Sequence, residues 1–203
     1  ISVTQKSAWF LLHRLRYAFD HPNFQLELSN TVEIDETFVG GQALNKHANK
    51  KKKNENGGTL HEKQPVLGMI ERGGNVIAKV VPNRHKETIL PIIKDSVKSN
   101  SVVMTDEYTA YKDLKVDYNH FRVNHGAKEY VNGMAHTNSI ENFWSHFKRG
   151  IDGIYHWVSK PHLQAYVNEF TLRYNTRKFE TKERFNLVLA SVVNKRLTYN
   201  MLI

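Results

Sequence analysis

Thr31-Val32-Glu33-Ile34-Asp35-Glu36-Thr37-Phe38-Val39 is the stretch on which the reading of this chain turns. It alternates along its length, is rich in β-forming residues and is closed by Gly40-Gly41, the signature of a strand. Asp35 sits inside it, where aspartate is disfavoured by propensity and normally has a reason to be.

Working outward, Pro65–Glu71 and Asn75–Val81 read as two further strands joined by Arg72-Gly73-Gly74, a hairpin signal. Lys86–Lys98 is expected to be helical, with Ile89, Ile92, Ile93 and Val97 on one side. Ser101–Thr105 is a short apolar strand, Tyr108–Leu114 a short helix and His120–Asn124 another strand. From Thr137 onward the pattern is helical over three segments, and no internal repeat is visible. Upstream, residues 5–19 predict a basic helix. Ser2 and Gln5 have capping-box spacing, Trp9, Leu12, Leu15 and Phe19 recur at helical intervals, and Asp20-His21-Pro22-Asn23 ends it. The order βββαβαβα followed by helices gives an α/β class with a mixed sheet and helices on its faces. Residues 42–63, with Lys50, Lys51, Lys52 and Lys53, read as a polar loop, either one that orders on DNA or a solvated insertion.

Composition narrows the function. The 203 residues are 40% hydrophobic and 11% aromatic, as expected of a folded domain, and no apolar run is long enough to span a membrane. Cysteine is absent, which removes disulfides and thiolate metal sites and suits a reducing cytoplasm. The chain opens on Ile1, so a preceding segment is left open. A net charge of +9 favours a polyanionic partner, nucleic acid above anionic lipid.

Two more carboxylates stand out by position. Asp106 follows the apolar run Val102-Val103-Met104-Thr105, at the C-terminal edge of a strand, where α/β sheets place ligands. Glu141 lies in the first turns of a helix after His136-Thr137-Asn138-Ser139. Each has an ordinary reading: Asp35 as an exposed strand residue, Asp106 as a helix cap, Glu141 as a charge suited to a helix N-terminus. Together, in a basic chain, they form a candidate cation site. On the Glu141 helix, Ile140, Phe143, Trp144, Phe147 and Ile151 form an apolar stripe. Glu141, Ser145, Lys148 and Asp152 form a second stripe beside it, which suits a carboxylate on a metal and an ammonium on a phosphate. Asn142 diverges from Lys148 and fits less well. Asn138 is expected to cap this helix.

The segments Val32-Glu33-Ile34-Asp35-Glu36-Thr37, Met104-Thr105-Asp106-Glu107-Tyr108 and His136-Thr137-Asn138-Ser139-Ile140-Glu141-Asn142-Phe143-Trp144-Ser145-His146-Phe147-Lys148 resemble the DDE-type transposases of bacterial insertion sequences. The likeness is narrowest to the branch in which a lysine follows the third acidic residue, and it extends through Gly153–Ser159, Asn168-Glu169-Phe170 and Arg173–Arg177. It implies a ribonuclease H-like fold, with a basic remnant of a helix-turn-helix at residues 1–23, a catalytic domain at 24–178 and a helical extension at 179–203. Family members carry an N-terminal zinc-binding module, which this cysteine-free chain lacks as a zinc ribbon.

The resemblance further implies that Asp35, Asp106 and Glu141 bind two Mg²⁺ or Mn²⁺ ions roughly 4 Å apart. Asp35 would bridge them, Asp106 would hold one and Glu141 the other, with Lys148 as the associated basic residue, in contact with a phosphate near the scissile bond. Asn142, Asn138 and His136 are secondary candidates. Lys50 to Lys53, Lys148, Arg149, Arg173 and Arg177 are the expected contacts to double-stranded DNA, both transposon end and target. A homodimer or larger assembly on DNA and a cytoplasmic location go with this reading. The alternatives are a ribonuclease H-like nuclease or resolvase that hydrolyses without joining, and a non-catalytic DNA-binding protein of transposase descent. His125, His136 and His156 have no zinc-motif spacing and are expected to contact phosphate or hold loops.

Overall fold

The computed structural model describes residues 2–20, 27–40, 63–123 and 136–202. The basic loop with Lys50 to Lys53, and His125, lie outside the described residues.

Five strands form one sheet in the order β3-β2-β1-β4-β5. They are β1 (Thr31–Val39), β2 (Gln64–Glu71), β3 (Val76–Val80), β4 (Val102–Thr105) and β5 (Asn119–Arg122). β1 to β3 pair antiparallel, while β4 runs parallel to β1 and β5 parallel to β4. With helices on both faces this is the ribonuclease H-like arrangement that the sequence predicts. β2 lies between β3 and β1 and is buried on both faces from Pro65 to Ile70, which explains why this stretch is a continuous run rather than an alternating one.

The two faces carry separate cores. On one, Val32, Ile34, Leu67 and Met69 pack with Ile89 and Ile93 of α2 (Lys86–Ser96) and with Tyr111 and Leu114. On the other, Val39, Val66 and Ile70 pack with Ile140, Phe143, Trp144 and Phe147 of α3 (Asn138–Gly150) and with Leu163, Tyr166 and Val167 of α4 (Leu163–Asn175). Gly68 lets α3 approach closely, since a Cβ there would lie 2.3 Å from Cζ2 of Trp144. α5 (Thr181–Ser191) packs against α1 (Gln5–Ala18).

The free edge of β3 is closed by α4 side chains. The Val76 N–H donates to Asn175 Oδ1 at 2.8 Å and the Val80 N–H to Gln164 Oε1 at 2.7 Å. Asn175 Nδ2 and Gln164 Nε2 in turn donate to the carbonyls of Val76 and Ala78. The amides thus replace the missing strand on this margin.

Several expectations are corrected. Thr4, not Ser2, caps α1, accepting from the Ser7 N–H at 3.2 Å. α1 turns His13, Arg16 and Ala18 inward and leaves Trp9, Leu12 and Leu15 exposed. The reason is polar: Arg16 reaches Glu169 on α4 at 2.7 Å, and its guanidinium lies 4.1 Å from the centre of the Tyr166 ring. That buried pair sets the rotation of the helix against its own apolar periodicity. α2 ends at Ser96 because Val97 bridges to Leu28, and the flanking backbone groups bond to Leu28. Thr109–Val116 is a 3-10 helix, matching the three-residue spacing of Tyr108, Tyr111 and Leu114. After α3 the chain passes through a π turn, Ile151–Tyr155, to His156 at φ 59. No helix of the described residues is long and apolar enough to cross a membrane.

Candidate active site

β4 pairs with β1 only over Thr31 to Glu33, with Met104 opposite Glu33. Beyond that point the strands separate, and the same offset carries Asp106 opposite Asp35. A carboxylate oxygen from each of Asp35, Glu36 and Asp106 lies within 4.8 Å of the others. Asp35 and Glu36 leave opposite faces of β1, yet both reach Asp106 because no strand fills the gap beside them.

The surroundings of each carboxylate differ. Asp106 Oδ1 accepts from the Tyr108 N–H at 2.9 Å, so the residue is both turn-former and site-liner. Glu36 accepts from the fully buried Tyr111 hydroxyl at 2.5 Å. The Arg84 guanidinium, stacked 4.3 Å from the Tyr108 ring centre, also faces Glu36 electrostatically. Burial raises the Glu36 carboxyl above its ordinary value, and the Tyr111 hydrogen bond opposes that rise. Asp35 is pushed up to about 7, first by burial, then by repulsion from Glu36, Asp106 and Glu141. Like charges held this close favour either a shared proton or a bound cation.

Glu141 stands on α3, exposed, and is not one of the three carboxylates that lie within 4.8 Å of one another. Its stripe partners Ser145, Lys148 and Asp152 are all exposed, as is Asn142, while the neighbouring apolar stripe from Ile140 to Ile151 is buried. Thr137 donates its hydroxyl to Glu141 Oε1 at 2.9 Å. Asn138 does not cap α3: it is the first helical residue, and the cap position is Thr137, whose side chain makes no capping bond. The helix is capped instead by Glu33, from β1. Glu33 is fully buried and accepts from the N–H groups of Ser139 at 2.8 Å and Ile140 at 3.1 Å. Ser139 Oγ and Arg72 Nε complete its shell at 3.0 and 2.7 Å. His136 Nδ1 lies 3.3 Å from the same carboxylate.

Of the expected basic contacts, Lys148 and Arg149 are exposed on α3. Arg173 pairs with Glu169 at 2.6 Å. Arg177 lies two residues past the end of α4, donating to the carbonyls of Gly73 and Gly74 and stacking 4.0 Å from the Tyr174 ring centre. His156 holds its own turn through the Asp152 carbonyl.

Glu33 and Glu36 are site residues that the sequence reading passed over. A signal existed for Glu33: it shares a strand face with Asp35, and a carboxylate at a buried strand position needs a partner.

The model of the ISXO2-like transposase domain matches residues 27–175, which span all five strands and every carboxylate described above. The chain belongs to this transposase domain family. Among its relatives is an uncharacterized transposase-like protein of Haemophilus influenzae, 35% identical over 108 residues, covering 53% of this chain and 86% of that protein. Another is an uncharacterized protein in transposable element ISH50 of Halobacterium salinarum. It is 28% identical over a 203-residue alignment covering 95% of this chain and 68% of that protein.

Proposed function

We propose that this chain is the catalytic core of a DNA transposase, performing phosphodiester hydrolysis and strand transfer at transposon ends. The observation that carries the reading is the convergence of Asp35, Asp106 and Glu36 at the gap between β1 and β4, in a member of a transposase family. The donor set is wholly carboxylate, which fits Mg²⁺ or Mn²⁺ and not softer metals. Asp35, Asp106 and Glu141 are the proposed ligands. When bound, such ions would neutralise charge at the attacked phosphate and favour ionisation of the attacking oxygen.

The chain's own groups do the rest. Lys148, two turns from Glu141 on the same exposed stripe and so about 10 Å along the axis, holds a phosphate next to the scissile one. Arg149 extends that contact, with Lys50 to Lys53 as further phosphate contacts. Arg173 and Arg177 are the less available members of the basic set, given their bonds to Glu169 and to the Gly73 and Gly74 carbonyls. Asn142, Asn138 and His136 flank the third carboxylate. In the first step water attacks phosphorus and the bond to the 3′ oxygen breaks, leaving a 3′-hydroxyl and a 5′-phosphate. In the second, that hydroxyl attacks a target phosphate and displaces another 3′ oxygen, so one phosphodiester replaces another without a covalent enzyme intermediate. The partners are double-stranded transposon ends and target DNA. Joining two ends calls for a homodimer or larger assembly, working in the cytoplasm.

The test is a strand-transfer assay with labelled pre-cleaved ends, plasmid target and Mg²⁺ or Mn²⁺, run beside Asp106→Asn. Joined product from the unaltered chain alone supports the reading. Nicking without joining makes the protein a nuclease or resolvase. DNA binding with neither activity makes it a non-catalytic binder.

A further inference from the structure

Glu33 is fully buried in the sheet and stands between the two elements that carry the site. It precedes Asp35 by two residues on the same face of β1. The backbone it holds, at Ser139 and Ile140, directly precedes Glu141 on α3. One carboxylate oxygen takes both backbone N–H groups at 2.8 and 3.1 Å. The other takes Ser139 Oγ at 3.0 Å and Arg72 Nε at 2.7 Å, with His136 Nδ1 3.3 Å away. Arg72 also donates to the His136 carbonyl at 2.8 Å, so the segment entering α3 is held by the same pair.

A helix normally receives this bond from the residue at its own cap position. Here Thr137 occupies that position and makes no capping bond; its hydroxyl instead donates to Glu141 Oε1. Glu33 supplies the missing cap from another element, and its charge suits the positive end of the helix. The exchange has a geometric result. The third carboxylate is oriented by the residue that gave up capping, and the helix start is fixed to the strand that bears the first carboxylate.

We infer that Glu33 is the positioning residue of the carboxylate site, a cross-element cap whose role is to hold Glu141 at the distance from Asp35 that a shared cation requires. The inference rests on the proposed metal site. It assigns Glu33 no contact with DNA or with the reacting atoms.

The test is direct Mn²⁺ binding by calorimetry on the folded, metal-stripped chain, with no DNA and no turnover. The variants are Glu33→Gln, Glu141→Gln, the double variant of these two, and Asp35→Asn. If the unaltered chain binds no Mn²⁺, or Asp35→Asn binds it as well as the unaltered chain does, the metal-site reading falls, and the inference with it. If Asp35→Asn removes binding, the site stands and Glu33 is judged alone. Glu33→Gln should then weaken Mn²⁺ binding about tenfold, as Glu141→Gln does, and should add less than twofold in the Glu141→Gln background. That non-additivity is what a purely structural cap would not produce. Mn²⁺ affinity in Glu33→Gln equal to that of the unaltered chain, or full additivity in the double variant, overturns the inference. Should Glu33→Gln not fold, Ser139→Ala, which removes a single hydrogen bond to Glu33, carries the same cycle with a smaller expected loss of about threefold.

Discussion

Gly68 and Trp144 share one volume: the indole stands where a side chain at Gly68 would go, 2.3 Å from the ideal Cβ position. Gly68 is also the residue paired with Asp35 across the β1–β2 register. The height of α3 above the sheet is therefore set directly beside the carboxylate cluster.

Gly68→Ala should destabilise the fold by roughly 1–3 kcal/mol, because the core must shift to admit one methyl group. It should also weaken Mn²⁺ binding, since α3 carries Glu141. Urea unfolding and calorimetry read the two effects. An unfolding midpoint and affinity both unchanged would show that α3 does not sit against this strand as described.

Asp35 gives a pH dependence of definite sign. Its folded value of about 7 exceeds the ordinary 3.8, so the folded state holds the proton more tightly than the unfolded one. The contribution is fully present below about pH 3.8 and is lost as the pH rises through 7, on the order of 4 kcal/mol at most. Stripped of metal, Asp35→Asn should therefore be more stable than the unaltered chain at pH 8. Added Mn²⁺ should shrink or reverse that difference by taking the place of the proton. Parallel stability curves for the two proteins from pH 4 to 8 would refute the assignment.

His13 works in the other direction. Burial first, then Arg16 and His162, lower it from 6.5 to about 4, within an aromatic cluster where Trp9 lies 4.3 Å away centre to centre. Its contribution is present above pH 6.5 and lost as the pH falls towards 4, on the order of 3 kcal/mol. Comparing His13→Gln with the unaltered chain should show the acid limb of the stability curve flattened between pH 4 and 6.5. An acid limb of the same steepness in both would exclude His13 as its source.

Arg16 and Glu169 are both buried, and Tyr155 also donates to Glu169, at 2.9 Å. Glu169→Ala would strand the Arg16 charge and should cost about 3–5 kcal/mol. Arg173, whose side chain is exposed, should cost under about 1 kcal/mol on replacement by alanine, although it bonds to the same carboxylate. Equal losses from the two changes would contradict this ranking.

If Lys148 holds a phosphate, Lys148→Ala should reduce the slope of log K against log salt for DNA binding by about 1. Affinity measured at several salt concentrations decides it, and an unaltered slope removes Lys148 from the interface.

The local elements were legible where one signal acted alone. β1 runs from Thr31 to Val39 as its alternation and closing Gly40 predict. The apolar stripe of α3 is buried as its spacing requires. What sequence could not convey were pairings between distant segments. Glu33 meets Ser139 across 106 positions, so its role as a cap has no local trace. Glu36 carried no signal of its own: adjacent strand residues point to opposite faces, and only the end of the β1–β4 pairing at Glu33 lets both Asp35 and Glu36 reach Asp106. The facing of α1 goes with the buried Arg16–Glu169 pair and not with the helical recurrence of Trp9, Leu12 and Leu15, and periodicity counts only the latter.

The offset between β1 and β4 has a consequence for errors in folding. A slip of β4 by one position would turn the buried Val103 out of its core and set Thr105 or Glu107 opposite Asp35. Strand pairing and assembly of the carboxylate cluster are thus a single event, and a molecule slipped by one residue lacks Asp106 at its place beside Asp35.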